Sequence, residues 1–231
     1  MESWTLEAKE LSTLEAEICF LLKKEFYYGP DRHTEIVSGK YMQPLTLPSF
    51  SRKVELLART SEIISNESTL ADYYLQVINI AQKHKKPFNN YRHIFWIRLW
   101  LWNTDASIHI SFPWYDSQSE IDGFIDSVIT TESGQVYWDA DQGWELEVIA
   151  ENGFLYIRHG SPEDDETYSA IKVPRDVVVS QLINVQNRSK SIISYLSQSI
   201  GADLWSKYNE SFEPSCKPNA EAQIKPWWKI W

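Results

Sequence analysis

The side chains of this chain that could carry chemistry are mostly carboxylates, and one pair lies two residues apart in an alternating segment. Glu145 and Glu147 share one face of a predicted strand at 143–150, with Leu146 and Val148 on the other face. Two carboxylates can act as general acid and general base when their separation is suitable and one pKa is raised. A solvated strand face gives no reason for such a shift. We therefore expect a wet outer surface that a partner protein could contact.

Four consecutive carboxylates, Glu163, Asp164, Asp165 and Glu166, stand in the loop between the last two predicted strands. Binding residues are commonly carried by such loops on a rigid scaffold. The run has two interpretations: a solvated loop, or an acidic patch that imitates a phosphate backbone and enters a basic protein cleft. In the second interpretation the run and the two glutamates of the preceding strand form a partner-binding site.

Patterns typical of metal sites and of nucleophilic catalysis are missing from the sequence. The segment 139–145 alternates carboxylates around Gly143, but its glycine and glutamate do not occupy the EF-hand positions, so we expect a polar turn. The five histidines show no zinc spacing. The chain also lacks a phosphate-binding glycine loop and a nucleophile elbow. We therefore expect no catalytic residue, no metal and no cofactor.

The cysteine content and the apolar segments indicate the compartment. Cys19 and Cys216 are the two cysteines of the chain, which favours reduced thiols over a disulfide framework. The first residues are acidic and lack the basic and apolar regions of a signal peptide. The longest apolar run, 94–102, contains Arg98 and is too short to span a bilayer. These features predict a cytoplasmic protein without a membrane partner.

The formal charge of −10 over 231 residues bounds the class of partner. Nucleic-acid binding needs a basic footprint that displaces counterions from phosphates, so the charge argues against a nucleic-acid partner. It argues equally against anionic membrane surfaces. A basic protein partner is favoured by electrostatic steering, although the same charge also has a simple interpretation as a solubility feature.

Aromatic residues are unusually frequent, with 11 Trp, 12 Tyr and 9 Phe. Residues 92–102 alternate so that Trp96, Trp100 and Trp102 share one face with Arg98, while apolar side chains occupy the other face. This second apolar face predicts a central strand that is covered on both sides. The tryptophan face either packs beneath a helix, with the arginine paired to a carboxylate, or stacks a base or a sugar.

A second group of tryptophans closes the sequence. Trp227, Trp228 and Trp231 follow a polar, proline-containing stretch at 214–226. They either cap the core of the protein or insert into a partner, since tryptophan is frequent among the residues that dominate interface energy. For the second alternative we choose Trp228 as the anchor.

The elements that must position these residues fall into three regions of one predicted domain: a helical region at 1–87, a sheet-rich region at 88–173, and a helix with a tail at 174–231. In the first region, apolar residues at helical spacing predict a helix that contains Leu14, Ile18 and Leu21. Two further helices are predicted, one at 52–64 and one that begins after Ser68.

The remaining pattern predicts an antiparallel sheet of about six strands. The strand at 92–102 should pair with 107–112, and Asn152-Gly153 predicts a tight hairpin between 143–150 and 154–159. A long helix should begin after Pro174 and end at Gly201. Further elements are a short helix at 117–129 and strands at 135–138 and 168–173. Hairpins with helices packed on them define the α+β class.

Two classes of function follow from these observations. The first is a non-catalytic, acidic binding protein that sequesters or neutralises a basic protein, in the manner of a bacterial immunity protein that blocks a toxin. The second is a hydrolase-type enzyme whose carboxylates and histidines converge only in the fold. The missing catalytic spacings favour the binding protein.

Overall fold

The computed structural model describes residues 3–30, 36, 39–112, 117–141, 144–161, 164–208 and 211–212. Three residues singled out above, Cys216, Glu163 and Trp228, lie outside the described residues, as do Trp227 and Trp231. For positions 164–167 the structure describes the backbone.

The described residues form eleven strands and four α-helices. The strands are β1 (Lys9–Glu10), β2 (Glu15–Leu21), β3 (Glu25–Tyr27), β4 (Met42–Pro44), β5 (Leu57–Arg59), β6 (Ile97–Asn103), β7 (Ile108–Ser111), β8 (Gly134–Asp141), β9 (Trp144–Glu151), β10 (Phe154–Ser161) and β11 (Asp164–Pro174). The helices are α1 (Thr60–Ile63), α2 (Glu67–Lys83), α3 (Gln118–Thr130) and α4 (Arg175–Ile200). None of these helices is long and apolar enough to cross a bilayer.

The strands make three sheets, so the expectation of one antiparallel sheet with about six strands is wrong. The largest sheet has the order β1-β11-β10-β9-β8; β1 pairs in parallel with β11, and the other pairs are antiparallel. A second sheet has the antiparallel order β5-β2-β6-β7, and β3 pairs with β4. The α+β class and the long C-terminal helix are confirmed.

The helix expected around Leu14, Ile18 and Leu21 is wrong, because this segment is strand β2. Its residues from 16 to 20 are all buried, because Ala16, Ile18 and Phe20 cover one face while the buried Glu17 and Cys19 lie on the other. The helical spacing of Leu14, Ile18 and Leu21 is therefore satisfied by coincidence. The helix expected at 52–64 is also mostly wrong: the segment forms strand β5 and then a helix of four residues. The helix after Ser68 is confirmed as α2.

Strand β6 lies in the interior of its sheet, between β2 and β7, as the alternating pattern predicted. It begins at Ile97 and not at 92, since Arg92–Phe95 forms a 3₁₀ helix. Leu99 is fully buried, and Trp100 on the opposite face is partly buried. The pairing with β7 is antiparallel, as expected.

The hairpin between β9 and β10 turns at Asn152-Gly153, where both residues have positive φ, 51° and 80°. Asparagine tolerates this left-handed backbone and glycine adopts it without steric cost, which explains why this dipeptide joins two strands in register. The turn fixes the pairing of Phe154 with Glu151 and therefore of the whole hairpin.

Helix α4 and the segment after it cover one face of the four-stranded sheet. Trp205 is fully buried among three aromatic rings, with centroid distances of 5.0 Å to Tyr74, 5.6 Å to Phe95 and 6.4 Å to Phe20. This contact joins β2, α2 and the end of the described chain. Aromatic burial of this size dominates the energy of a core.

Candidate functional site

The two strand glutamates lie on the outer face of the five-stranded sheet. Leu146 and Val148 of the same strand point to the opposite face and are fully buried. The strand register places Glu147 opposite Trp138 on one side and opposite Arg158 on the other. We use the term outer face for the surface made by Trp138, Glu145, Glu147, Arg158 and Tyr168.

Hydrogen bonds and ion pairs hold Glu145 in place. Its carboxylate accepts hydrogen bonds from the indole N–H of Trp138, at 2.9 Å, and from the hydroxyl of Tyr168. The guanidinium of Arg158 lies 3.1 Å from Glu147 Oε2 and 3.6 Å from Glu145 Oε1. Glu145 and Glu147 therefore do not form the simple solvated surface expected from alternation, and Glu147 is only 9% exposed.

The same contacts fix the ionisation of Glu145. The hydrogen bond from Tyr168 is the main reason that the pKa of Glu145 is lowered; burial opposes this effect, and Trp138 and Arg158 add to it. A general acid at neutral pH needs a raised pKa. Glu145 is instead an ionised hydrogen-bond acceptor at neutral pH, which suits recognition better than proton transfer.

Aromatic rings surround the single guanidinium of this cluster. Arg158 lies 5.4 Å from the ring centroid of Trp4 and 4.9 Å from that of Tyr168. Trp4 belongs to a 3₁₀ helix, Ser3–Leu6, which packs against β11. An arginine between two rings loses much of its freedom to rotate, so the ion pairs with both glutamates are preorganised.

Trp138 is the functional candidate that the sequence analysis missed. Its side chain is 56% exposed although it is large and apolar. Alternation placed Trp138 in a strand, but only the structure shows that it lies opposite Glu147, that its indole is fixed by Glu145 and that it faces solvent. A fixed, exposed tryptophan is typical of the centre of a protein interface.

The acidic motifs meet at one end of this sheet. The β8–β9 and β10–β11 hairpins turn at the same end, since Asp141 pairs with Trp144, Gly160 with Glu145, and Ser161 with Asp164. Asp164, Asp165 and Glu166 belong to strand β11 and not to a loop. Strands β8 to β11 together carry eight carboxylates and two cationic side chains.

The other residues considered above are not assembled into a catalytic centre in the part of the chain that the structure describes. No group of three His, Cys, Asp or Glu side chains there could hold a metal ion. Cys19 is buried, and desolvation raises the pKa of its thiol, so the reactive thiolate is disfavoured. Arg98 forms no ion pair with a described carboxylate. The carboxylate partner that we expected for it beneath a helix is therefore not found among the described residues.

The effect of Tyr168 on Glu145 leads to a pH-dependent prediction. A carboxylate with a lowered folded-state pKa stabilises the fold above its ordinary pKa, and this stabilisation is lost as the pH falls through the folded-state value. We expect Tyr168→Phe to lower the free energy of unfolding at pH about 7, with a difference from wild type that shrinks toward pH about 3. Urea denaturation at a series of pH values measures this difference. Tyr195→Phe, on exposed helix surface, is the control; a difference for Tyr168→Phe that stays constant with pH would contradict the assignment.

Comparison with protein-family models, with curated proteins and with solved structures returned no match for this chain.

Proposed function

We propose that this protein is a non-catalytic binding protein that sequesters or neutralises a basic protein partner in the cytoplasm, as an immunity protein does with its toxin. The observation that supports this function best is the position of Trp138, an exposed and hydrogen-bonded anchor on the most acidic sheet of the molecule. The predicted partner-binding residues remain Glu145, Glu147, the acidic run and Trp228, to which we add Trp138.

The charge distribution supports a basic partner. The excess of carboxylates on strands β8 to β11 produces a negative potential that attracts cations before contact. Individual exposed charge pairs contribute only about 0–1 kcal/mol. The acidic strands therefore act mainly on the rate of association and on the choice of partner.

The anchor supports a lasting complex. A truncated interface tryptophan typically costs about 2 kcal/mol or more, whereas the contacts around it contribute little each. The indole of Trp138 is oriented by Glu145, and this carboxylate is in turn fixed by Tyr168. Preorganisation of this kind reduces the entropy lost when the partner binds.

The test of this function begins with capture of a basic protein from the native host, followed by binding kinetics with the purified partner. We expect Trp138→Ala to raise the dissociation rate at least about tenfold, which corresponds to about 1.4 kcal/mol. Replacement of Glu163, Asp164, Asp165 and Glu166 by lysine should instead lower the association rate and weaken its dependence on salt between about 50 and 500 mM.

Tyr195→Ala is the matched control, because Tyr195 is also an exposed aromatic residue but lies on helix α4. Its kinetics should equal those of the wild type. If Trp138→Ala and the lysine variant both retain wild-type kinetics, the outer face is not the binding site. The hydrolase alternative has no particular contact in its favour among the described residues.

A further inference from the structure

A separate cleft lies on the four-stranded sheet and shares no residue with the outer face of the larger sheet. Its volume is about 140 Å³, and we name it the tryptophan cleft. The side chains that line it include Lys53, Arg59, Trp100, Trp102, Thr104 and His109.

Strand register explains why two indoles share this cleft. Trp100 and Trp102 are two residues apart on β6 and therefore project from the same face. Trp102 is paired with His109 of β7, and the rings of Trp100 and His109 meet edge to face with centroids 6.4 Å apart. The walls of the cleft are consequently flat, aromatic and held by backbone pairing.

The charged groups that line the cleft are cationic. The guanidinium of Arg59 lies 5.8 Å from the ring centroid of Trp102 and is fixed by Glu62, whose Oε1 accepts bonds of 2.7 and 3.1 Å from it. The same carboxylate oxygen accepts a bond from the backbone N–H of Lys53, at 2.8 Å. The Lys53 side chain is exposed and forms no ion pair with a described carboxylate. Because Glu62 pairs with Arg59, the Lys53 side chain supplies the positive charge in the cleft that no described carboxylate neutralises.

We propose that the tryptophan cleft binds a small planar aromatic carboxylate. The flat ring stacks against the indoles, and the carboxylate lies toward Lys53 and Arg59, where a charge-assisted hydrogen bond is stronger than a neutral one. The volume agrees with this size, since an enclosed cavity of about 150 Å³ binds a single benzene ring.

Benzoate is a suitable probe, and the indole N–H signals of ¹⁵N-labelled protein provide the readout. The Trp100 indole N–H is buried without a hydrogen-bond acceptor in the described residues, so its exchange with water is slow and its signal is observable. Trp100→Phe and Trp102→Phe assign the two signals. We expect both to shift in a saturable manner with a Kd of about 1 mM or tighter, as a ligand of this size permits.

Two related compounds separate the parts of the proposal. Benzamide keeps the planar ring without the charge, and cyclohexanecarboxylate keeps the charge without the planar ring. Both should bind at least about fivefold more weakly than benzoate. Lys53→Gln should weaken benzoate without changing the affinity for benzamide, while the Trp138 signal of the outer face serves as an internal control and should not move.

Shifts that do not saturate, or that spread equally to the Trp138 signal, would overturn the proposal. Equal affinity for benzoate and benzamide would do the same, because the cations would then have no role. The experiment needs no protein partner, so its outcome is independent of the function proposed for the outer face.

Discussion

Arg188→Met is expected to lower the free energy of unfolding by about 3 kcal/mol, because it leaves a buried carboxylate without its cation. Glu17 has a side chain that is only 6% exposed, and its Oε1 accepts a hydrogen bond of 2.8 Å from Arg188. Its Oε2 accepts bonds from the hydroxyl of Thr60 and, at 3.3 Å, from the backbone N–H of Ser61. Urea denaturation of the full chain measures the change.

The exposed ion pair between Lys190 and Asp122 provides the matched control. Its N–O distance is 3.0 Å and the lysine side chain is 49% exposed, so Lys190→Met should cost no more than about 1 kcal/mol. Glu17→Gln combined with Arg188→Met should recover part of the loss, since the buried charge is then removed. If Arg188→Met and Lys190→Met lower the free energy of unfolding by the same amount, the burial of Glu17 does not make its ion pair more important for stability than an exposed one.

Trp205→Ala is expected to cost about 3–5 kcal/mol, the range for removal of a fully buried aromatic side chain. The indole contacts Phe20 of the sheet and Tyr74 of helix α2, so its loss opens a cavity between two elements that it now joins. The midpoint of urea denaturation should fall while the native state keeps its secondary structure by circular dichroism.

Trp138→Ala is the control for the same residue type. Trp138 is mostly exposed and loses one hydrogen bond, to Glu145, so the expected cost is about 1 kcal/mol or less. This variant thereby separates binding from stability in the test of the outer face. A loss as large as that of Trp205→Ala would mean that Trp138 supports the fold and is not a free anchor.

Local alternation was sufficient to predict four of the five strands of the larger sheet, although β8 and β11 are longer than the predicted strands at 135–138 and 168–173. The Asn152-Gly153 turn and the alternation of Leu146 and Val148 with glutamates are signals within a few residues of one another. Pairing between neighbours in sequence then fixes β8 to β11. The parallel strand β1 could not be predicted, because two residues carry no periodicity of their own.

Strand β2 shows why the rest of the fold was not predictable. Glu17 is buried because Arg188, 171 residues later in the chain, reaches its carboxylate. A sequence pattern places glutamates on the solvent side of an element. With Glu17 assigned to solvent, the segment was wrongly predicted to be an amphipathic helix. The candidate site was also predicted only in part. Glu145 and Glu147 were identified from the sequence, but Trp138 was not, because its role depends on a hydrogen bond between two strands.

The parallel pair between Lys9–Glu10 and Ile171–Lys172 has a consequence for the order of folding. Glu10 and Lys172, whose side chains form a 2.9 Å ion pair, are 162 positions apart in the chain. The β8–β11 meander closes through short turns, and short loops close at lower entropic cost than long ones. We therefore expect the meander to form first and β1 to pair with β11 afterwards.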